Sequence, residues 1–218
     1  SIFILLYALQ LYSFCSYLDD ANELLNQNKP EEALILYEKA LVEDPVNEEI
    51  YINLAFVHEV LGDREKSLEV LKKGLTYAGE SKYLFYYNMG TTHSKLGRSG
   101  LAVEMFTKSI ELNSRFPAPY LNRGNGKLRL AMILESIDER VKAYEDIIID
   151  YETYLSLYPD APKREVVEKY IAALRRRIRD KEQREKDLEN LLDILNNATD
   201  STKDITAGAE DIKVEYED

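Results

Sequence analysis

Apolar residues recur at helical spacing along most of the chain. Between Ala33 and Leu41 they fall at positions 33, 36, 37, 40 and 41, which form one stripe of a helix with 3.6 residues per turn. Glycine and proline are scarce, with 9 and 6 among 218 residues. Several of them follow such stripes, as Gly62, Gly97 and Pro45 do, where they end helices. The pattern predicts an all-α chain of short helices joined by tight turns.

The helical pattern repeats with a period of 34 to 35 residues. Tyr51, Tyr86 and Tyr120 lie 35 and 34 residues apart, and an Asn follows each of them two positions later. A repeat of this length holds two amphipathic helices, so the chain is expected to stack helical hairpins into a solenoid. The other recurring positions are the small residues Ala55, Gly90 and Gly124, then Ala33, Ser67 and Ala102, the large apolar Tyr37, Leu71 and Phe106, and the small Ala40, Gly74 and Ser109.

These positions resemble the tetratricopeptide repeat (TPR) family, in which an aromatic, a small residue, a turn Gly, Ala, a large apolar residue, a small residue and Pro follow in order. The resemblance implies a right-handed superhelical solenoid of about four hairpins with a C-terminal capping helix. We predict that the solenoid spans 16–160, with repeats at about 14–47, 48–82 and 83–116. Asn28 stands where the first repeat would carry its turn Gly.

The fourth repeat, 117–160, is predicted to be stretched. In the third repeat the second helix has its first small residue, Ala102, 12 positions after Gly90, so Gly124 predicts the equivalent position at 136. The apolar pattern of a second helix instead begins at Ile147, about three helical turns later. We therefore expect two lengthened helices that meet near 136–138. The remaining chain is predicted to form a capping, charged helix over 161–195 and an acidic disordered tail over 196–218.

The N-terminal segment 1–15 has the apolar character of a secretory signal, and no charged residue precedes Asp19. The single cysteine, Cys15, follows this stretch in the way that a lipidated cysteine follows a bacterial lipoprotein signal, although Phe14 departs from the small residue expected before it. The segment predicts an exported protein that Cys15 tethers to the membrane of the bacterial cell envelope. An uncleaved membrane anchor, or a buried first helix in a cytoplasmic protein, are the alternatives.

Charge and side-chain chemistry argue against several functions. A net charge of −12 argues against binding to nucleic acid. His58 and His93 occupy the same repeat position without a third ligand, which favours buried seam histidines over a metal site. Gly124–Lys127 lies inside a predicted helix, without the strand and spacing of a phosphate loop. We therefore predict no enzyme, no cofactor, no metal and no small-molecule substrate.

The remaining prediction is a groove that binds a protein or peptide. In the TPR family the first helix of each hairpin lines the concave groove, and amides there can pair with an extended backbone while apolar groups select side chains. The asparagines could equally brace neighbouring repeats. The rival functions are a cytoplasmic chaperone or adaptor and a non-catalytic subunit of an enzyme complex. The predicted groove residues are Ile52, Asn53, Phe56, Tyr87, Asn88, Thr91, Lys95, Leu121, Asn122, Asn125 and Arg129.

Overall fold

The computed structural model describes residues 17–210, with side chains described as far as residue 194. This part of the chain forms nine α-helices and contains no strand, as the apolar pattern predicts. The helices are α1 (17–26), α2 (Pro30–Glu43), α3 (Glu48–Val60), α4 (Arg64–Leu75), α5 (Lys82–Lys95), α6 (Ser99–Leu112), α7 (Ala118–Ala131), α8 (Ile137–Leu157) and α9 (Arg164–Glu210).

Successive helices pack against each other from α2 to α8, so each hairpin is followed in space by the next. The turns inside the hairpins require left-handed backbone angles. Gly62 and Gly97 have φ of +87° and +74°, and Asn28 has φ of +59° at the equivalent turn of the first hairpin. Asparagine tolerates this conformation better than most residues with a side chain. The prediction of stacked helical hairpins is therefore confirmed, including Asn in place of the turn Gly.

The core of the solenoid repeats one arrangement, in which an aromatic ring covers a small residue of the partner helix. A Cβ placed on Gly90 would lie 2.6 Å from Phe106 Cε1, and one on Gly124 would lie 2.6 Å from Tyr151 Cε1. Phe106 and Tyr151 are almost fully buried. The small residues found by the repeat spacing therefore let the two helices of a hairpin approach closely.

The fourth hairpin is stretched, but not in the way that the sequence predicts. Its first helix, α7, has 14 residues, the same length as α5, whereas α8 has 21 residues against 14 in α6. The prediction of two lengthened helices is wrong in this respect, because α7 ends at Ala131 and a five-residue connection precedes α8. Ser136 begins α8 as its N-cap, and its side chain accepts a hydrogen bond from the Glu139 backbone N–H.

Residues Glu168–Asp218 form a compact unit of their own. Most of α9 belongs to this unit; the helix begins at Arg164, is 47 residues long and continues to Glu210, whereas the sequence predicts a disordered tail from 196. No proline follows Pro162, so no residue in this segment lacks the backbone N–H that a helix needs. A polar and acidic composition alone does not distinguish a disordered tail from a solvent-exposed helix.

Within residues 17–210, no helix combines the length and apolar character needed to cross a membrane. The predicted signal segment 1–15, with Cys15, and the last part of the predicted tail, 211–218, lie outside the described residues.

Candidate functional site

A cleft of about 240 Å³ lies between the second and third hairpins. It brings together five of the residues that the sequence places in the groove. They come from the first helices of two successive repeats, where side chains three and four positions apart share one face. The lining residues are Ile52, Asn53, Ala55, Phe56, Glu59, Ser67, Leu71, Asn88, Thr91 and Thr92.

The cleft combines apolar surface with one available amide. The ring of Phe56 is half exposed, with 50% of its surface open to solvent. The Asn88 side chain makes no hydrogen bond to any part of residues 17–210, although its backbone carbonyl accepts hydrogen bonds from the hydroxyls of Thr91 and Thr92. Its amide can therefore donate to and accept from a bound backbone.

Asn53, in contrast, joins two repeats. Its Nδ2 donates to Asn22 Oδ1 at 3.0 Å, and the same oxygen accepts the Tyr37 hydroxyl at 2.5 Å. Burial, then the charge of Glu49, raises the pKa of Tyr37 to about 12, so this hydroxyl keeps its proton at neutral pH. The sequence allows the repeat asparagines either to brace neighbouring repeats or to bind a ligand. Asn53 braces two repeats, because its side chain donates to Asn22.

A buried carboxylate, that of Glu59, is part of the cleft lining. The Glu59 side chain, only 8% exposed, accepts the Thr92 hydroxyl at 2.7 Å and the Lys95 ammonium at 2.5 Å. Lys95 was predicted as a groove residue, but it does not line the cleft and its charge is matched by Glu59. Lys95 is therefore already ion-paired and is not an unpaired anchor for an acidic ligand.

The other predicted groove residues lie outside this cleft and join helices to each other. Asn122 Nδ2 donates to the Tyr87 hydroxyl at 3.3 Å, and Arg129 donates to Ser94 Oγ at 2.8 Å; both contacts connect α5 with α7. Asn125 Oδ1 accepts the Tyr151 hydroxyl at 2.8 Å. Leu121 is half-buried and does not line the cleft either.

Tyr87 is part of an aromatic cluster. Its ring lies 6.0 Å from that of Phe106 and 5.0 Å from that of Phe116, measured between ring centroids. Burial raises the pKa of Tyr87, and the hydrogen bond from Asn122 opposes that rise. The Tyr87 side chain therefore packs within the third repeat and does not line the cleft.

A buried ion cluster ties the fourth hairpin together, and sequence reasoning missed it. Asp150 is 1% exposed. Its carboxylate accepts Arg123 Nη2 at 2.6 Å and Lys127 Nζ at 2.9 Å, and Arg123 also donates to Thr107 Oγ1 at 3.3 Å. The signal was an acidic residue inside the apolar run 147–151, since a buried carboxylate requires a partner.

His58 and His93 are buried at equivalent positions, with 7% and 8% of their surfaces exposed. Neither Nδ1 has a hydrogen-bond partner within the described chain. Burial lowers the pKa of both imidazoles, and neighbouring cations lower it further. Residues 17–210 contain no cluster of three or more His, Cys, Asp or Glu that could hold a metal ion.

The comparisons with known proteins support the repeat. The model of the family described as tetratricopeptide repeat matches residues 83–116, the bounds predicted for the third repeat. Among curated proteins, none matches this sequence.

Solved structures share the fold at low sequence identity. A crystal structure of MamA is 20% identical, with a TM-score of 0.53, and the match covers 78% of this chain and 94% of MamA. MamA from Desulfovibrio magneticus RS-1 is 15% identical, with a TM-score of 0.56 and coverages of 77% and 96%. A tetratricopeptide repeat protein from Parabacteroides merdae is 13% identical, with a TM-score of 0.59 and coverages of 75% and 60%. The chain therefore has the fold of a TPR solenoid.

Proposed function

We propose that the protein is a non-catalytic scaffold that binds an extended polypeptide in the cleft between its second and third hairpins. The observation that carries the proposal is the half-exposed Phe56 ring in the same cleft as the unengaged Asn88 amide. An apolar ring offers contact area for a ligand side chain, and an amide can pair with both the N–H and the C=O of an extended backbone.

The chemistry of the cleft favours a ligand with an apolar side chain and few charges. Ile52 and Phe56 supply its apolar surface, and Thr91 adds a hydroxyl. Glu59, the one carboxylate in the lining, is matched by Lys95. Burying a charged ligand side chain here would cost free energy without a new partner, whereas an apolar side chain would gain from burial.

Binding can be measured with a peptide library displayed on phage, followed by affinity titration of the selected peptide. Asn88→Ala is expected to weaken binding by about 10-fold through the loss of hydrogen bonds to the backbone, and adding Phe56→Ala should weaken it further. Leu101→Ala is the matched control, since Leu101 is also exposed but lies on α6 and does not line the cleft. If the folded Asn88→Ala and Phe56→Ala variants bind the peptide as tightly as the natural protein does, the binding site lies elsewhere.

We further propose that the scaffold is exported and held at the bacterial cell envelope through Cys15. The support is the sequence of 1–15, whose apolar run precedes the chain's single cysteine. Metabolic labelling with a palmitate analogue should label the natural protein and not Cys15→Ala. Equal labelling of both would reject lipidation, and recovery of both in the cytoplasmic fraction would favour a cytoplasmic adaptor.

A further inference from the structure

The cleft between the second and third hairpins has a polar part that the contacts proposed for Phe56 and Asn88 leave unused. It consists of three lining residues in the helix turns nearest the hairpin turns, Glu59 in α3, Ser67 in α4 and Thr92 in α5. Ser67 and Thr92 are each 1% exposed, and the Glu59 side chain is 8% exposed. Thr92 donates to Glu59, so these two side chains meet across the hairpins. The polar part is therefore a buried portion of the cleft and not a solvated surface.

This polar part is particular to one pair of hairpins. At the interface of the first and second hairpins the three equivalent positions are all apolar, with Leu25, Ala33 and Val57 in place of the three polar residues. In the third hairpin the position of Ser67 is again an alanine, Ala102, and both alanines are fully buried. Alanine therefore fills this position in the packing of two other hairpins. Helix packing alone does not account for a hydroxyl at Ser67.

The hydroxyl of Ser67 has no partner in the described chain. Its Oγ is buried and makes no hydrogen bond there. A buried hydroxyl without a partner costs free energy, which a ligand atom that enters the cleft would recover. Glu59 also has acceptor capacity left, since a carboxylate oxygen can accept two hydrogen bonds and each of these accepts one, from Thr92 or from Lys95. The polar part thus offers one group that donates or accepts and a second group that accepts.

A tyrosine side chain has the chemistry that complements this cleft. Its ring would pack against the half-exposed ring of Phe56, and its hydroxyl would accept from Ser67 and donate to Glu59. A phenylalanine would bury the same ring but leave the Ser67 hydroxyl unpaired. A lysine or arginine would bring a second cation to a carboxylate that Lys95 already pairs.

The size of the cleft also fits a single side chain. Its volume of about 240 Å³ lies below the range of about 300–1,000 Å³ of pockets that enclose whole small molecules. The cleft therefore holds one side chain of an extended polypeptide, whose backbone continues past it.

We propose that the cleft binds a tyrosine side chain of its polypeptide ligand, with the tyrosine hydroxyl paired to Ser67 and Glu59. This inference rests on the proposed function, because it presupposes that a polypeptide occupies the cleft. It narrows the ligand side chain beside Phe56 to one residue type. Ser67 then determines specificity, whereas Asn88 holds the backbone of the ligand.

Selection from a random peptide library displayed on phage identifies the preferred side chain. Peptides retained by the natural protein should share one tyrosine position. A selected peptide is then synthesised with tyrosine and with phenylalanine at that position, and both are titrated by calorimetry. The tyrosine peptide should bind about 10-fold more tightly, because the phenylalanine peptide buries the same ring without the hydrogen bonds.

Ser67→Ala tests the residue that determines this preference. It should reduce the difference between the two peptides to about threefold or less, since only the hydrogen bond to Glu59 remains. The loss should fall on the tyrosine peptide alone, whereas damage to the fold would weaken both peptides. Ser99→Ala is the matched control. Ser99 lies in the first turn of α6, as Ser67 does in α4, but does not line the cleft, so its variant should keep the full difference.

The results that would overturn tyrosine recognition differ from those that would overturn peptide binding. Selected peptides without a common tyrosine, or a tyrosine peptide that binds no more tightly than its phenylalanine counterpart, would reject tyrosine recognition and leave peptide binding intact. A preference for tyrosine that survives Ser67→Ala unchanged would also reject it, since the tyrosine would then bind elsewhere. If the natural protein retains no peptide, the proposed function fails, and tyrosine recognition fails with it.

Discussion

Gly90 and Gly124 lie inside helices and have ordinary helical backbone angles, so a close contact and not the backbone conformation requires a residue without a side chain there. A Cβ on Gly90 would lie 2.6 Å from Phe106 Cε1, closer than a real Cβ approaches another heavy atom. Gly100, in α6, has nothing within 4 Å of the same construction. Alanine substitutions at Gly90 and Gly100 therefore separate two effects on stability: steric crowding, which only Gly90 has, and the higher helix propensity of alanine, which both share.

We expect Gly90→Ala to destabilise the protein by about 1–2 kcal/mol, since the strain of overpacking exceeds the gain in helix propensity. Gly100→Ala should instead leave stability unchanged or raise it by up to about 1 kcal/mol. Urea unfolding followed by circular dichroism measures both. The contact between Gly90 and Phe106 would be too loose to matter if Gly90→Ala were as stable as the natural protein.

The two buried histidines predict a dependence of stability on pH. Their pKa values in the folded chain lie below those of the unfolded chain, mainly through burial. The unfolded chain therefore binds more protons as the pH falls below about 6.5. Stability is fully present above that pH and is lost as the pH falls towards the folded-state pKa. The facing cations are Lys66 for His58 and Arg98 and Lys72 for His93; the facing carboxylates are Asp63 and Glu38 for His58 and Glu65 and Glu104 for His93.

We expect the urea midpoint of the natural protein to fall between pH 7.5 and about 5.5, a range above the ordinary titration of carboxylates. His58→Leu with His93→Leu should show a smaller fall, because the imidazoles that bind the extra protons in the unfolded chain are gone. The change is expected to be tolerated, since neither Nδ1 has a hydrogen-bond partner to lose in the described chain. An equal fall in both proteins would assign the pH dependence to other groups.

At the scale of the element, α8 depends on a buried carboxylate. Asp150 meets Arg123 and Lys127 from α7 in a nearly dry site, and removing it would leave two cations close together. Breaking a buried ion pair from one side costs about 3–5 kcal/mol, and the partial exposure of both cations places the expected cost near the lower end.

Asp150→Ala is therefore expected to lower the free energy of unfolding by about 3 kcal/mol. Asp146→Ala, one turn earlier on the same helix at an exposed position, should change it by less than about 0.5 kcal/mol. Urea unfolding of the two variants gives the comparison. Equal stabilities would mean that water replaces the carboxylate at little cost.

The fourth hairpin shows which parts of the fold the sequence predicts and which it does not. The repeat spacing placed Ile147 and Tyr151 in the core correctly, because it fixes which face of a helix is buried. The spacing could not show whether the additional residues lengthen α7, the connection or α8. The core positions of α7 and α8 keep the same helical periodicity in each case. The predicted junction near 136–138 coincides with the start of α8, where Ser136 followed by Glu139 forms a capping signal.

For the candidate site, some of the residues that the sequence selects in the second and third repeats line one cleft, whereas those selected in the later repeat do not. Ile52, Phe56 and Asn88 do share a cleft. Asn122 and Asn125 instead bond to tyrosines, and those contacts depend on which side chains lie opposite in space. A repeat position identifies a helix face; it does not identify the partner that a polar group on that face finds.

At the scale of the whole molecule, the chain divides into the hairpin unit and the unit Glu168–Asp218. The hairpin helices bury apolar residues in every repeat, whereas the described side chains of α9 from 182 to 194 are all exposed. A helix with little buried surface opens locally at low cost in free energy. Local opening is the event that exposes a helix to proteases.

Brief digestion with trypsin is therefore expected to cut first between Arg175 and Lys186, where seven basic residues lie. The larger product should retain the hairpin helices, and peptide mapping of its C-terminal end locates the cut. Lys72 and Lys73 are the internal comparison, since they are exposed but belong to the packed helix α4. First cleavage at these lysines would mean that the second hairpin opens more readily than α9. That result would contradict the expectation that the less buried element opens first.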